Sequence, residues 1–419
     1  MFIKRLTRIM LLTGLSGFAS ACGGNRMDVF SPHGTTAAGA TSLKILVATT
    51  RERAENPADL FSGERGQRLS LADISLSIPA DANRQQGEVQ WPTNVPGDAK
   101  TDFVVLGTEF LNEKSIKERL RQRLKATNNG RVLLFVHGYN NRFADAVFRF
   151  AQIAHDSQAP AVPVLFTWPS RASALAYAYD RESANFSRDA LELTIRTLQA
   201  EPAVKEINVL AHSMGTWVTL ESLRQIAIRD NRLPAKITNV IIAAPDVDVD
   251  VFGMQIARMG THRPRFSLFT SQDDKALAFS RRIGGDVPRL GAIDTTQEPL
   301  KSQLAAQGVE VFDITKLSSG DSYNHGKFAQ SAPVVQFIGR RLMAGQAVGD
   351  NDTSLADHIS SLASRAGAVA GMIVTAPLAV VDPTSRRSFG TQLNNALGNV
   401  ERRGQTEPRV SQVENTGGN

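Results

Sequence analysis

The chain has a single cysteine among its 419 residues, so no disulfide can form within it and its stability must come from packing. It also lacks a run of one charge. Its 47 basic and 41 acidic residues leave a net charge of +6, and basic positions such as Arg51, Arg53, Arg65, Arg68 and Arg84, or Arg281, Arg282 and Arg289, have acidic neighbours. Such a balance is a mild surface bias and excludes a nucleic-acid-binding stripe. Internal repeats and a glycine-rich phosphate loop are absent. The seven histidines (His33, His137, His155, His212, His262, His325 and His358) are dispersed, with none paired at i, i+4 on a helix, so no metal site is expected. The main apolar runs, 9–18 and 366–381, fall short of the ~20 residues that a membrane-spanning helix needs. With 42% hydrophobic and 21% charged residues the composition is that of an ordinary globular protein, which excludes collagenous, coiled-coil and wholly disordered chains.

The first residues carry a basic patch (Lys4, Arg5, Arg8), the apolar run, and the small residues Ala19, Ser20 and Ala21 immediately before Cys22. This is the pattern of an export signal, not of fold. It resembles a bacterial lipoprotein signal, in which the cysteine is acylated and becomes the new N-terminus; Ala19 departs from that pattern, which more often has leucine there. Gly23, where an aspartate would mark inner-membrane retention, resembles the outer-membrane-sorted members. The expectation is an exported, cell-envelope protein facing the periplasm and held to the membrane by lipid on Cys22. Residues 22–42, small and polar, are expected to form a flexible tether.

Apolar runs at 43–49, 103–106, 132–136, 164–167, 207–210, 237–243, 266–270 and 309–314 read as buried strands, and 143–157, 185–200, 216–229, 274–282 and 333–344 as helices. Strands alternating with helices from Val132 onward predict an α/β fold with a mostly parallel sheet covered on both faces. The early strands, separated by turn-rich stretches such as 83–97, are expected to form an antiparallel edge. Residues 43–345 would make the main domain. After it come an apolar, helical extension over 346–381, interrupted by Pro377, and a disordered tail over 382–419. Packing of that extension on the domain competes with an interfacial membrane segment.

In Asn208-Val209-Leu210-Ala211-His212-Ser213-Met214-Gly215-Thr216 an apolar strand runs straight into Ser213 and then into an apolar-periodic helix. A hydroxyl is a weak nucleophile unless a tight turn exposes it where a base can reach it, and strand, elbow and helix provide that turn. Ala211 and Gly215 are the small residues that let strand and helix approach. A second motif, Phe135-Val136-His137-Gly138-Tyr139-Asn140, ends an earlier strand.

With these motifs in this order the chain resembles the α/β-hydrolases over residues 43–342, and among them a bacterial esterase/lipase-like group of unknown function (DUF900-like). The resemblance implies an oxyanion hole made by the backbone N–H groups of Tyr139 and Met214, with His137 bracing the loop and His212 pointing away from the serine. It implies an acid after Ser213 and a histidine last. Asp274, in Ser271-Gln272-Asp273-Asp274-Lys275-Ala276-Leu277, resembles the family's acid. Asp273 beside it suits a helix cap, and Asp246 after the preceding strand is the alternative acid. His262 precedes Asp274, and His358 lies in the C-terminal extension, which leaves His325 as the base. The implied activity is hydrolysis of carboxylic esters through an acyl-enzyme on Ser213, with no cofactor and with a small-molecule or lipid ester as substrate. Thioesters, amides and a non-catalytic binding role on the same fold are the alternatives.

Overall fold

Strands alternate with helices along most of the chain and assemble into one mixed sheet in the computed structural model, which describes residues 26–317, 321–344 and 373–374. The first third runs β1 (Thr41–Arg53), β2 (Phe61–Ile78), β3 (Val104–Leu111), α1 (Glu113–Thr127), β4 (Arg131–Val136) and α2 (Phe143–Asp156). Next come β5 (Val162–Thr167), α3 (Tyr177–Ala200), β6 (Glu206–His212), α4 (Met214–Asp230), β7 (Ile237–Ala243) and α5 (Val249–Arg258). The last part holds β8 (Arg265–Thr270), α6 (Lys275–Ile283), α7 (Leu300–Ala306), β9 (Val309–Asp313), α8 (Lys327–Gln330), α9 (Ala332–Ala344) and the two-residue β10 (Ile373–Val374). Across the sheet the order is β10-β9-β8-β7-β6-β4-β5-β1-β2-β3.

From β1 to β9 across this order every neighbouring pair is parallel. Only the β1/β2, β2/β3 and β9/β10 pairs are antiparallel. The mostly parallel sheet with an antiparallel N-terminal edge is therefore as the sequence reading expected. Period-two alternation explains the double cover. In β4, Val132, Leu134 and Val136 join one apolar layer with Leu191 and Ile195 of α3 and Val218 of α4. Leu133 and Phe135 join the other, with Val147 and Phe150 of α2 and Phe337 of α9. Both layers are buried, so the helices hold the sheet from either side.

Four expectations are corrected. Residues 26–33, part of the expected tether, are held to the domain: Val29 and Phe30 are buried, and the Phe30 ring lies 5.2 Å from Phe143 and 6.2 Å from Phe148. Phe30 N–H donates to the Ala58 carbonyl (3.1 Å), His33 N–H donates to that of Val105 (2.7 Å), and Arg26 pairs with Asp145 at 2.6 Å. β2 and α1 were not foreseen, being too polar to register as apolar runs. Residues 247–265, which the sequence pattern assigns to neither strand nor helix, contain α5, capped by Asp248. Finally, Ile373 and Val374, expected to be helical, pair antiparallel with Asp313 and Phe312 at the sheet edge, where unpaired backbone of β9 supplies the partners. Cys22, His358, the remainder of 346–381 and the 382–419 tail lie outside the described residues.

Candidate active site

Chain order reverses between β4 and β6: the connection from β4 leads to β5 on one side, and β6 then lies on the other. In open parallel sheets such a switch point leaves a crevice at the carboxyl ends of the strands, and that is where ligands bind. Ser213 follows β6 there and His137 follows β4.

Ser213 stands at φ +54°, ψ −125°, between the last strand residue and the first residue of α4. This is a strained conformation for a residue with a side chain, costing ~1–3 kcal/mol, and it is held by the flanking strand and helix. Ser213 N–H donates to the Ala243 carbonyl (2.9 Å), and its own carbonyl accepts from Thr216 (3.0 Å) and Asp246 (3.2 Å). A Cβ on Gly215 would stand 2.2 Å from the His137 carbonyl oxygen, so only glycine lets α4 start this close to β4. Gly138 is equally confined: a Cβ there would stand 2.8 Å from both Ser213 Cβ and His212 Nδ1. The two motifs of the sequence thus meet at the serine.

The amide N–H groups of Tyr139 and Met214 donate to no acceptor among the described residues. Met214 opens a helix, where such orphan donors are expected and where the helix dipole favours negative charge. The Tyr139 amide belongs to the peptide whose carbonyl is that of Gly138, and this carbonyl accepts from His137 Nδ1–H (2.8 Å). A planar trans peptide points its N–H opposite to its C=O, so His137 aims the Tyr139 N–H. The His137 ring stacks on Trp168 (4.9 Å between centroids) and its Nε2 accepts from the Trp168 N–H at 3.1 Å. Burial, with the Arg51 guanidinium nearby, pulls His137 down to about 3, so the imidazole is neutral.

Asp274 and His325 come together after β8 and β9. His325 Nδ1–H donates to Asp274 Oδ2 at 2.6 Å, while Asp274 Oδ1 accepts from the Leu277 N–H at 2.9 Å as the N-cap of α6. One carboxylate oxygen caps the helix and the other meets the imidazole. Burial draws His325 down, but Asp274 in contact and Asp246 and Asp321 nearby outweigh it, leaving His325 raised above an ordinary histidine. Asp273 is not the cap; it binds Lys327 Nζ (2.7 Å) and the Asn324 side chain (2.9 Å), tying the loop after β8 to the 321–326 loop. Asp246 does not meet the imidazole. It accepts from the hydroxyls of Tyr177 (3.0 Å) and Ser280 (2.5 Å) and lies 3.4 Å from Arg289 Nε.

Two roles are not legible in the sequence: that of Asp321, and that of His212, expected only to point away from the serine. Asp321 accepts from the N–H groups of Tyr323 (2.8 Å), His325 (3.1 Å) and Gly326 (2.8 Å), so it shapes the loop that carries the histidine. The only signal was an aspartate four residues before His325, and any surface turn can carry that. His212 packs its ring 4.6 Å from the His325 ring and 4.5 Å from Phe328, and its Nε2–H donates to the His325 carbonyl (3.3 Å). It packs against the imidazole, and burial with His325 beside it keeps it well below the usual histidine range. His262 plays no part in this cluster. Among the described residues, no three His, Cys, Asp or Glu side chains converge as a metal centre would require.

The fold and the elbow define an α/β-hydrolase. The sequence pattern of the family described as alpha/beta hydrolase of unknown function (DUF900) matches residues 112–341, more than half of the chain, and the protein belongs to that family. No curated protein matches it. Among solved structures it is similar to fungal esterases from Rhizomucor miehei, at 12% identity over 73% of this chain and 84% of that one, with a TM-score of 0.36. It is also similar to an esterase from Pyrobaculum calidifontis, at 11% identity over 56% of this chain and 94% of the other, with a TM-score of 0.31. A lipase-esterase related protein from Clostridium acetobutylicum ATCC 824 is similar at 11% identity over 52% and 96%, with a TM-score of 0.31.

Proposed function

We propose that this hydrolase cleaves carboxylic esters by acyl transfer to Ser213, with His325 as general base, Asp274 as its orienting acid, and the Tyr139 and Met214 amides as the oxyanion hole. The observation that carries the reading is the 2.6 Å bond between Asp274 and the Nδ1 side of His325, which leaves Nε2 of a raised-pKa imidazole free to serve as the base. In the first half-reaction His325 Nε2 takes the Ser213 hydroxyl proton as Oγ bonds to the ester carbonyl, and the electron pair displaced onto oxygen is met by the two amides. Collapse expels the alcohol, which receives that proton from His325. Water then repeats the sequence on the acyl-serine and releases the acid. Esters lead over amides because an alkoxide leaves more readily than an amide anion and because an ester carbonyl lacks the strong C–N resonance of an amide.

Wild-type protein is expected to react with a fluorophosphonate probe at Ser213 and to turn over p-nitrophenyl esters. Ser213→Ala should lose both while keeping its melting temperature. An unlabelled, inactive but folded wild type would instead make the crevice a binding site. The proposal extends to location: with acyl chains on Cys22 the protein is an outer-membrane lipoprotein facing the periplasm. It should then enter the detergent phase on partition, and Cys22→Ala should move it to the aqueous phase.

A further inference from the structure

The loop after β4 is held partly from within, since the Asn141 side chain donates to the carbonyls of Gly138 (3.4 Å) and Tyr139 (2.7 Å), while Asn140 stands in the left-handed region at φ +58°. Two buried groups of opposite charge add support from outside. From β1, Arg51, 1% exposed, donates through Nη1 to the carbonyls of Ser62 (3.0 Å) and Ser170 (3.1 Å) and through Nη2 to that of Asn141 (2.8 Å). The same Nη2 stands 3.4 Å from His137 Nε2. From α3, Asp180, wholly buried, accepts from the N–H groups of Asn140 (3.4 Å) and Arg171 (3.0 Å) and from the Ser170 hydroxyl. The Ser170 oxygen in turn accepts from the Asn141 N–H at 3.1 Å.

These two charges do not pair with each other, and Asp180 and Asp145 act on Arg51 only through space. Burial pulls Arg51 down to about 10 and pushes Asp180 up, as desolvation without direct pairing does. Stability alone gives little reason for such an arrangement, since apolar side chains of the same volume avoid the desolvation cost. What the charges hold is specific. Arg51 fixes the carbonyl of residue 141 and Asp180 the N–H of residue 140. Arg51 also favours the His137 tautomer whose Nδ1–H meets the Gly138 carbonyl. The Asp180 bond is made to the 139–140 peptide, next to the one that carries the Tyr139 N–H, and the Arg51 bond to the carbonyl of residue 141 holds the far end of the same loop. Arg51 lies on β1, outside the 112–341 stretch that defines the family, so an element from the antiparallel edge reaches into the site.

We propose that Arg51 and Asp180 are positioning residues that together clamp the 138–141 loop and so keep the Tyr139 N–H aimed at the oxyanion formed over Ser213. The inference rests on the hydrolase reading above. Arg51→Met and Asp180→Asn should each speed amide hydrogen exchange in segment 137–142 by about tenfold while leaving α4 and β6 protected. Both should lower kcat on a p-nitrophenyl ester by about 10²-fold, the cost of one oxyanion donor, with KM changed less than about twofold. Arg51→Lys, which keeps the charge and some donors, should recover part of both effects. If Arg51→Met does not fold, Ser170→Ala removes the hydroxyl between Asn141 and Asp180 and gives the same readouts at smaller amplitude. Unchanged loop exchange in Asp180→Asn and Ser170→Ala, or KM rising with kcat constant, would overturn the clamp. A wild type with neither turnover nor Ser213 labelling, but with the exchange pattern as stated, sinks the hydrolase reading and leaves the clamp as the loop's mechanical support.

Discussion

Asp246 and Asp274 occupy matching places, each buried in the loop after one of two adjacent parallel strands, β7 and β8, yet they face different partners. Asp246 is enclosed by the hydroxyls of Tyr177 and Ser280 and by Arg289, which lock α3, α6 and the segment at residue 289 together. Asp274 gives one oxygen to the start of α6 and keeps the other for His325. Burial and position are the same; the assignment follows from what each oxygen can reach. A carboxylate has several acceptor sites, and only the one with a vacancy toward the imidazole can orient it.

Replacing each carboxylate by its amide breaks the comparison most sharply. Asp274→Asn should cut turnover by ~10⁴, the loss seen where an amide favours the wrong histidine tautomer and cannot stabilise the imidazolium. Folding should survive, because asparagine caps a helix as well as aspartate does. Asp246→Asn should cost less than about tenfold, since it changes the field at His325 without touching it. Steady-state kinetics at matched folded fraction compare the two, and a greater loss in the Asp246 variant would move the acid to the loop after β7.

The pH profile sharpens the contrast. A base must be neutral to act, so with His325 raised, the acid limb of kcat/KM should lie above the ~6.5 of an ordinary histidine. Loss of the Asp274 charge removes the largest raising influence and should carry the limb of the residual activity to lower pH. Asp246→Asn should move it the same way by less. The smallest effect is expected from Asp273→Asn, which weakens the bonds to Lys327 and Asn324: about 1 kcal/mol of stability in urea unfolding, with kcat retained at full folding.

The sequence announced the parallel strands well because each is a short apolar run buried on both faces; the run at 237–243 coincides with β7. The same criterion passed over β2. Gly63, Arg65, Gly66 and Arg68 break its pattern, although Gly66 is needed where the backbone of Arg51 comes within 2.8 Å of a Cβ position. α1 was missed through its polarity; its capping box at Asn112 and Ser115, with Ile116, Leu120 and Leu124 spaced four apart, was the readable sign. In the site, Ser213, Asp274 and His325 could be named because a nucleophile, an acid and a base have few admissible residue types and a fixed order. The supports could not. Arg51 and Asp180 bond to backbone groups distant in sequence, the Asn141 carbonyl and the Asn140 N–H, and no residue type or spacing foretells a backbone group brought near by folding; Asp321 serves amides two to five residues on, as an aspartate in any turn can.

The burial of Val29 and Phe30 alters the mechanics of any lipid carried on Cys22. A free chain over 22–42 would be a leash of up to about 70 Å, enough for the domain to roam the periplasmic side of the bilayer. With Arg26 already paired to Asp145, the slack from Cys22 is four residue steps, no more than about 14 Å. Were Cys22 acylated, a protein held that short could not roam. It would rest on the lipid headgroups with the N-terminal end of α2 turned downward, and its orientation to the bilayer, not the length of its stalk, would decide which esters come within reach.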